Sequence, residues 1–370
     1  MTGRQALLPV FLLVLCLTAG CTLVQQDVVP PSITPVATEN GVLLISHSFL
    51  FEEHEITLHI PVDAGVYYGA VASEKQILLY TDLEDREWLP IYYAAFITDP
   101  LQEPFFNELM QALWMIQQDL SLDDDRFLEL CTVFVQSLPY DDDTTLVEPK
   151  YPIETFGDGT GDCDDKSLLL AGILSRAGYE TALLLYLEEK HMAVGVRASG
   201  CVATEDGYAY IETTKPHFVG LYPERLEGDI VLSSQPIIIP VGEGEKRYDS
   251  CHETAAFSAI LHFCRDQVDA LNARMETESR ELRELEEEIA DLRSSMDLHL
   301  REGRYTEYNR QVPVFNAMIA EYNMRIDAYN ELVREAERYV GIHAMILEQK
   351  HDRPGLYQRM KRDGILAEVY

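Results

Sequence analysis

Between residues 42 and about 71 the apolar positions come in short runs, Leu43-Leu44-Ile45, Phe49-Leu50-Phe51 and Ile56 to Ile60, separated by polar breaks. That patterning predicts strands. Ile77-Leu78-Leu79-Tyr80 and the stretch 91–97 extend it, so residues 41–100 are expected to form an N-terminal β-rich segment. From Pro104 the period changes. Phe105, Leu109, Leu113 and Ile116 recur every three or four residues, and 127–135 repeats that spacing after Asp123-Asp124-Asp125, which suits a helix cap. Helices are therefore expected across 104–138. An amphipathic segment follows at 163–176, bounded by Gly157 to Gly161 and by Ala177-Gly178-Tyr179. Residues 181–187, 192–196 and 208–213 then read as strands. A helix followed by a small antiparallel sheet predicts an α+β fold, with its core at 101–245.

The last third has another period. Val268, Met275, Leu282, Ile289 and Met296 fall seven apart, with Leu271, Leu285 and Leu292 between them and Glu278 and His299 as polar exceptions. A second seam runs through Val312, Ile319, Ile326, Val333 and Val340, alternating with Tyr308, Phe315, Tyr322 and Tyr329, each followed by Asn. Two heptad arms flanking Gly303 predict an antiparallel coiled-coil hairpin over 250–348, with a tail at 349–370. Arms of roughly 35 residues would reach about 50 Å. Pro313 is expected to kink the second arm or to mark its start.

Composition narrows the possible partners. A chain of 370 residues has room for two or three domains at roughly 100–200 residues each, and 47% hydrophobic content suffices for a packed core. With 63 acidic and 29 basic residues the net charge is −34, which argues against nucleic-acid binding. The chain opens with Arg4, an apolar run from Ala6 to Leu17, and Thr18-Ala19-Gly20-Cys21. This reads as a signal peptide over 1–20, too short for a span. Small residues before a cysteine resemble the lipobox of prokaryotic lipoproteins, which implies lipidation of Cys21 and an extracytoplasmic, membrane-anchored domain. An ordinary secretory signal is the alternative. The polar, proline-containing stretch 21–40 is expected to be a tether.

One segment carries candidate chemistry. Gly161-Asp162-Cys163-Asp164-Asp165-Lys166-Ser167 puts a cysteine on the first turn of the amphipathic helix. There the helix dipole lowers thiol pKa and free N–H groups can receive an oxyanion. His191 begins one strand and Glu212 ends another. A thiol nucleophile, an imidazole base and a carboxylate that fixes the imidazole tautomer form a working set. Asp162, Asp164 and Asp165 should raise the thiol pKa; the helix terminus and a protonated His191 should lower it, and the ion pair is expected to prevail. Gln136 and Tyr140 are candidates for a second oxyanion donor. Asp141-Asp142-Asp143 with Asp158 lacks the alternation of a calcium loop and reads as a solvated turn.

These motifs, together with Phe134-Val135-Gln136-Ser137-Leu138-Pro139-Tyr140, Tyr151-Pro152-Ile153-Glu154-Thr155 and Tyr210-Ile211-Glu212-Thr213-Thr214, resemble the transglutaminase-like superfamily over about residues 45–225. They are most similar to its extracytoplasmic archaeal and bacterial members. The resemblance implies a papain-like core with Cys163 as nucleophile, His191 as base and Glu212 as orienting acid. Glu212 departs from the Asp that animal transglutaminases use. The implied chemistry is attack on a peptide or protein amide through an acyl-thioester, with hydrolysis favoured over cross-linking, as is commoner among microbial relatives.

No cofactor is expected. A zinc site at Cys163, His191 and Glu212 is disfavoured, since no Cys-x-x-Cys or paired-His spacing accompanies them. The rival to an enzyme is a catalytically silent envelope scaffold or peptide-binding module whose helical hairpin engages a protein partner. Cys131, Cys201, Cys251 and Cys264 form an even set whose spacing permits three pairings, and four reduced thiols fit equally well.

Overall fold

The computed structural model describes residues 28–141, 148–200, 204, 206–223, 225–226 and 230–369. The expected signal peptide and Cys21 lie outside these residues. Strands β2 (Val42–Phe51) and β3 (His54–Asp63) pair antiparallel in unbroken register, from Val42 opposite Asp63 to Phe51 opposite His54. Ile56, Leu58, Ile60 and Val62 are buried, and the residues between them are exposed or half-buried, as a sheet with one covered face requires.

Strand character stops at Asp63, whose Oδ1 accepts the Val66 N–H and caps helix α1 (Ala64–Ala72). Leu78–Leu79 (β4) is a two-residue strand pairing with Val28–Val29 (β1). The stretch 91–97 is helical, inside α2 (Asp85–Thr98). Residues 41–100 thus hold one long hairpin, the short β4 and two helices, which corrects the β-rich expectation. Leu89, Tyr93 and Phe96 recur at helical spacing, and Glu84 and Glu87 form a reciprocal capping box. The expected tether is also corrected from Val28 onward. Ile33 is buried, and its N–H donates to Asp99 Oδ2 at 2.8 Å.

Helices α3 (Glu103–Asp119), α4 (Asp124–Ser137), α5 (Pro152–Asp158) and α6 (Cys163–Arg176) precede a four-stranded antiparallel sheet. Its order is β7 (Tyr208–Ile211), β6 (His191–Arg197), β5 (Glu180–Tyr186), β8 (Ile237–Glu243). The edge strand β8 adds to the three expected strands and tolerates Pro240 because an edge does not need every donor. The fold is α+β. Helix α6 is its axis: Leu168, Leu169, Leu170, Ile173 and Leu174 are wholly buried, each leucine contributing about 1.5–3 kcal/mol over exposure. One continuous hydrophobic core joins Phe49 and Leu58 of the hairpin to Phe134, Leu169 and Val194.

Helices α7 (Cys251–Arg301) and α8 (Tyr305–Glu348) pack together and turn at Gly303, whose φ of 74° suits glycine. At 51 and 44 residues they span about 75 and 65 Å, longer than expected. Helix α8 starts at Tyr305 and runs through Pro313, so the proline does not mark its start. Near the base the buried residues of α8 are Leu332, Ala336, Tyr339, Ile342 and Ile346, while Val340 is exposed. A 3.6-residue helix drifts about 20° per heptad against a strict seven-residue repeat, and four heptads move the seam by nearly one position.

The expected tail is part of the fold. Arg353, at the start of α9 (Arg353–Arg362), is buried and ion-paired with Glu129 of α4 and Glu253 of α7. Glu129 also accepts the Tyr248 hydroxyl at 2.7 Å. Cys251 is disulfide-bonded and Cys201 lies outside the described residues. Cys131 and Cys264 are free, so none of the three two-bridge sets forms. Among the described residues no helix is long and apolar enough to cross a membrane.

Candidate active site

Helix α6 begins at Cys163 because Asp162 caps it. Asp162 Oδ1 accepts the N–H groups of Asp164 and Asp165 at 3.1 and 3.2 Å, and Asp165 Oδ2 accepts the Asp162 N–H in return. Asp165 Oδ1 also accepts the Lys150 N–H at 2.6 Å. A Cβ on Gly161 would meet the Asp165 Cβ at 2.7 Å, which explains glycine before the cap. Two of the three acids around the thiol therefore build the helix terminus that presents it.

The half-buried Cys163 Sγ donates to the Lys190 carbonyl at 4.0 Å, and the Met192 N–H points at it from the other side of His191. Lys190 takes a left-handed φ of 51°, unusual outside glycine, as the chain turns into β6. His191 Nε2 lies 3.4 Å from Glu212 Oε2 and 3.1 Å from the Tyr210 hydroxyl. Its Nδ1 has no hydrogen-bond partner among the described residues. Strands β6 and β7 are neighbours, with Val194 opposite Ile211, so adjacent strands deliver His191 and Glu212 beside the helix start that carries the cysteine.

Glu212 is fully buried and saturated. Oε1 accepts the N–H groups of Thr213 and Thr214 at 3.0 and 2.8 Å and the Thr214 hydroxyl at 2.6 Å; Oε2 accepts the Tyr210 hydroxyl at 2.6 Å. Burial opposes its ionisation, but His191 and these hydroxyls outweigh burial and hold the carboxyl well below the usual range. An ionised Glu212 keeps a proton on Nε2 and leaves Nδ1 as the ring's basic lone pair.

The thiol departs from the expected ion pair. Burial first, then Asp164 and Asp162, push its pKa above that of an ordinary cysteine, against the Met192 N–H. Sγ and one carboxylate oxygen from each of these acids lie within 4.8 Å of one another. These influences favour the neutral thiol over the expected ion pair. Burial, with Asp162 and Asp165 beside it, also raises the Asp164 carboxyl.

Gln136 is no oxyanion donor. Its amide is buried, with Nε2 donating to the Glu212 and His217 carbonyls at 2.7 and 3.0 Å, and Oε1 accepting the His217 N–H at 3.2 Å. Both amide hydrogens hold the chain that follows β7. Tyr140 remains beside the site, its backbone bridged to Gly161 and the residue exposed. Asp141 and Asp158 converge on Lys150 Nζ at 3.4 and 3.2 Å, while Asp142 and Asp143 lie outside the described residues.

Sequence reasoning missed several participants. Lys166, one turn from Cys163, is fully buried and its ammonium donates to the Leu138, Thr214 and Gln136 carbonyls at 2.7, 3.2 and 3.4 Å. Burial lowers its pKa to about 8, against the attraction of Glu212. Ser167 Oγ donates to the Met192 carbonyl at 3.2 Å and lies 3.0 Å from the Thr213 hydroxyl. Tyr92 and Tyr93 of α2 lie near this helix terminus, their phenols raised by burial first and then by Asp164. Helical spacing in 88–97 was the signal that could have found them.

Compared with protein-family models, curated proteins and solved structures, the chain matches none of them.

Proposed function

We propose that the protein is a thiol enzyme of transglutaminase-like type, acting on peptide or protein amide bonds from the extracytoplasmic face of a membrane to which Cys21 anchors it by lipid. The observation that carries this reading is His191, held through Nε2 by the ionised Glu212 and flanked by backbone groups that touch the Cys163 thiol. Nδ1 removes the Sγ proton as sulfur attacks the carbonyl carbon, and the Cys163 N–H, which the Asp162 cap leaves open, serves the developing oxyanion. Collapse breaks the C–N bond, and the amine leaves with the proton from Nδ1. Water, deprotonated at the same nitrogen, then cleaves the thioester; an amine in its place would give a cross-link. Hydrolysis is the favoured outcome.

A second reading has its own support. The thiol hydrogen bond goes to the Lys190 carbonyl, not to the imidazole, which suits a silent peptide-binding module whose hairpin engages a partner. Incubation with p-nitrophenyl acetate separates the two. An enzyme forms an acetyl thioester at Cys163, labile to hydroxylamine and absent from Cys163→Ala, as nitrophenolate departs. An unacetylated Cys163 in folded protein would support the binding module.

A further inference from the structure

A cavity of about 320 Å³ lies between the chain after β7 and the base of the helical hairpin. Its floor is apolar, from Phe218, Leu261 and Ile346, and its polar lining is basic apart from Tyr222 and Ser258. In a chain whose acids outnumber its Lys and Arg by 63 to 29, none of the described residues lining this cavity is Asp or Glu. Arg225, His262 and Arg265 also line it and have further interactions; Lys215, Lys350, His217 and His343 complete its basic side.

Lys215 Nζ donates to the Arg225 carbonyl at 3.3 Å and has no ion pair among the described residues. Lys350 is half-buried and has no hydrogen bond or ion pair among the described residues. Burial and then Lys215 lower its pKa, as two neighbouring ammonium groups repel one another. Burial first and Lys350 second push the His217 imidazole down to about 4. A second cavity of about 480 Å³ shares Lys215, Leu347 and Lys350, so the two lysines stand where both spaces meet; Glu348 lines that second space but not the first.

We propose that this cavity binds a small organic anion, a phosphate or carboxylate borne on an apolar group, with Lys215 and Lys350 holding the charge and Phe218, Leu261 and Ile346 covering the apolar part. An anion there would relieve the repulsion between two cations that the fold already holds partly out of water. The occupant would also rest on the segment carrying the candidate catalytic acid. Lys215 is three residues beyond Glu212, and the Gln136 amide that grips the His217 backbone also holds the Glu212 carbonyl.

Titration calorimetry of the full chain with phenyl phosphate, phenylacetate and phenol tests this directly. Saturable binding of either anion but not of phenol is expected, weakened at least tenfold in Lys215→Ala/Lys350→Ala and retained in Lys350→Arg. Binding should also weaken as salt rises. Cys163→Ala should bind as the wild type does, which separates a failure here from a failure of the thiol chemistry. No saturable binding of either anion, equal binding of phenol, or full affinity in a folded double variant would overturn the proposal. Should the double variant not fold, Lys350→Gln replaces it, with the same tenfold criterion.

Discussion

The core around α6 and the helical hairpin solve opposite problems. In the core, polar groups are buried and nearly every one is bonded: Lys166 to three carbonyls, Gln136 to Glu212 and His217, Glu212 to Thr213, Thr214, Tyr210 and His191. In the hairpin, an apolar seam does the packing and the charges stand outside, as in the Arg325 pairs with Glu278, Glu281 and Glu321. A seam sets a register and tolerates drift, as the exposed Val340 shows. A saturated polar network allows one arrangement, because each donor left unbonded in the interior costs about 1–3 kcal/mol. Positional accuracy is therefore concentrated where the chemistry is proposed, and reach is left to the helices.

That contrast can be broken experimentally, beginning with the largest effect. Cys163→Ala should abolish acetyl-thioester formation while leaving the fold intact, since alanine keeps the helix start. Glu212→Gln, read by the acetylation rate at constant protein, should lower it by about 10²-fold or more, because an amide no longer fixes the imidazole proton on Nε2. A rate within threefold of wild type would make Glu212 merely structural.

Lys166→Met should act through the network. Loss of its ammonium leaves buried carbonyls unpaired and should cost about 1–3 kcal/mol in urea unfolding. The pH signature distinguishes this lysine from ordinary packing. Its folded pKa, about 8, lies below the unfolded value of ~10.4, so between these two pH values the unfolded state binds the extra proton. Stability contributed by this site rises with pH across that window, and the gap between wild type and Lys166→Met should widen there. A gap that stays constant would show that Lys166 does not titrate as its burial demands. The smallest effect on chemistry belongs to the hairpin: Leu282→Ala should lower stability by about 2–3 kcal/mol and leave acetylation unchanged. A tenfold loss of acetylation would show that the two regions are coupled.

The sequence made the site's frame legible for local reasons. Gly161-Asp162 before Cys163 is a cap signature, and the strand starting at His191 follows from a short apolar run, as does the strand expected over 208–213, which stops at Ile211 and leaves Glu212 just beyond it. What stayed hidden depended on long-range contacts. Nothing local distinguishes Gln136 as a brace from Gln136 as an oxyanion donor until its amide is seen against residues about 80 positions away. The same holds for Arg353, which meets Glu129 across 224 residues. Tyr92 and Tyr93 were masked differently, by reading a helical run of aromatic and β-branched residues as a strand. The upward push on the thiol stayed hidden because burial, the largest influence on its pKa, has no sequence signature.

The most direct test of the central claim is the rate of iodoacetamide alkylation at Cys163, mapped by mass spectrometry from pH 5 to 10 in the wild type and in His191→Ala. A neutral resting thiol served by a histidine base should give a wild-type midpoint above the ~8.5 of free cysteine. Acetylation by p-nitrophenyl acetate, followed in the same samples, should proceed at neutral pH in the wild type and fall about 10²-fold in His191→Ala. A wild-type alkylation midpoint below 7, or equal acetylation in the two proteins, would contradict this account of the site.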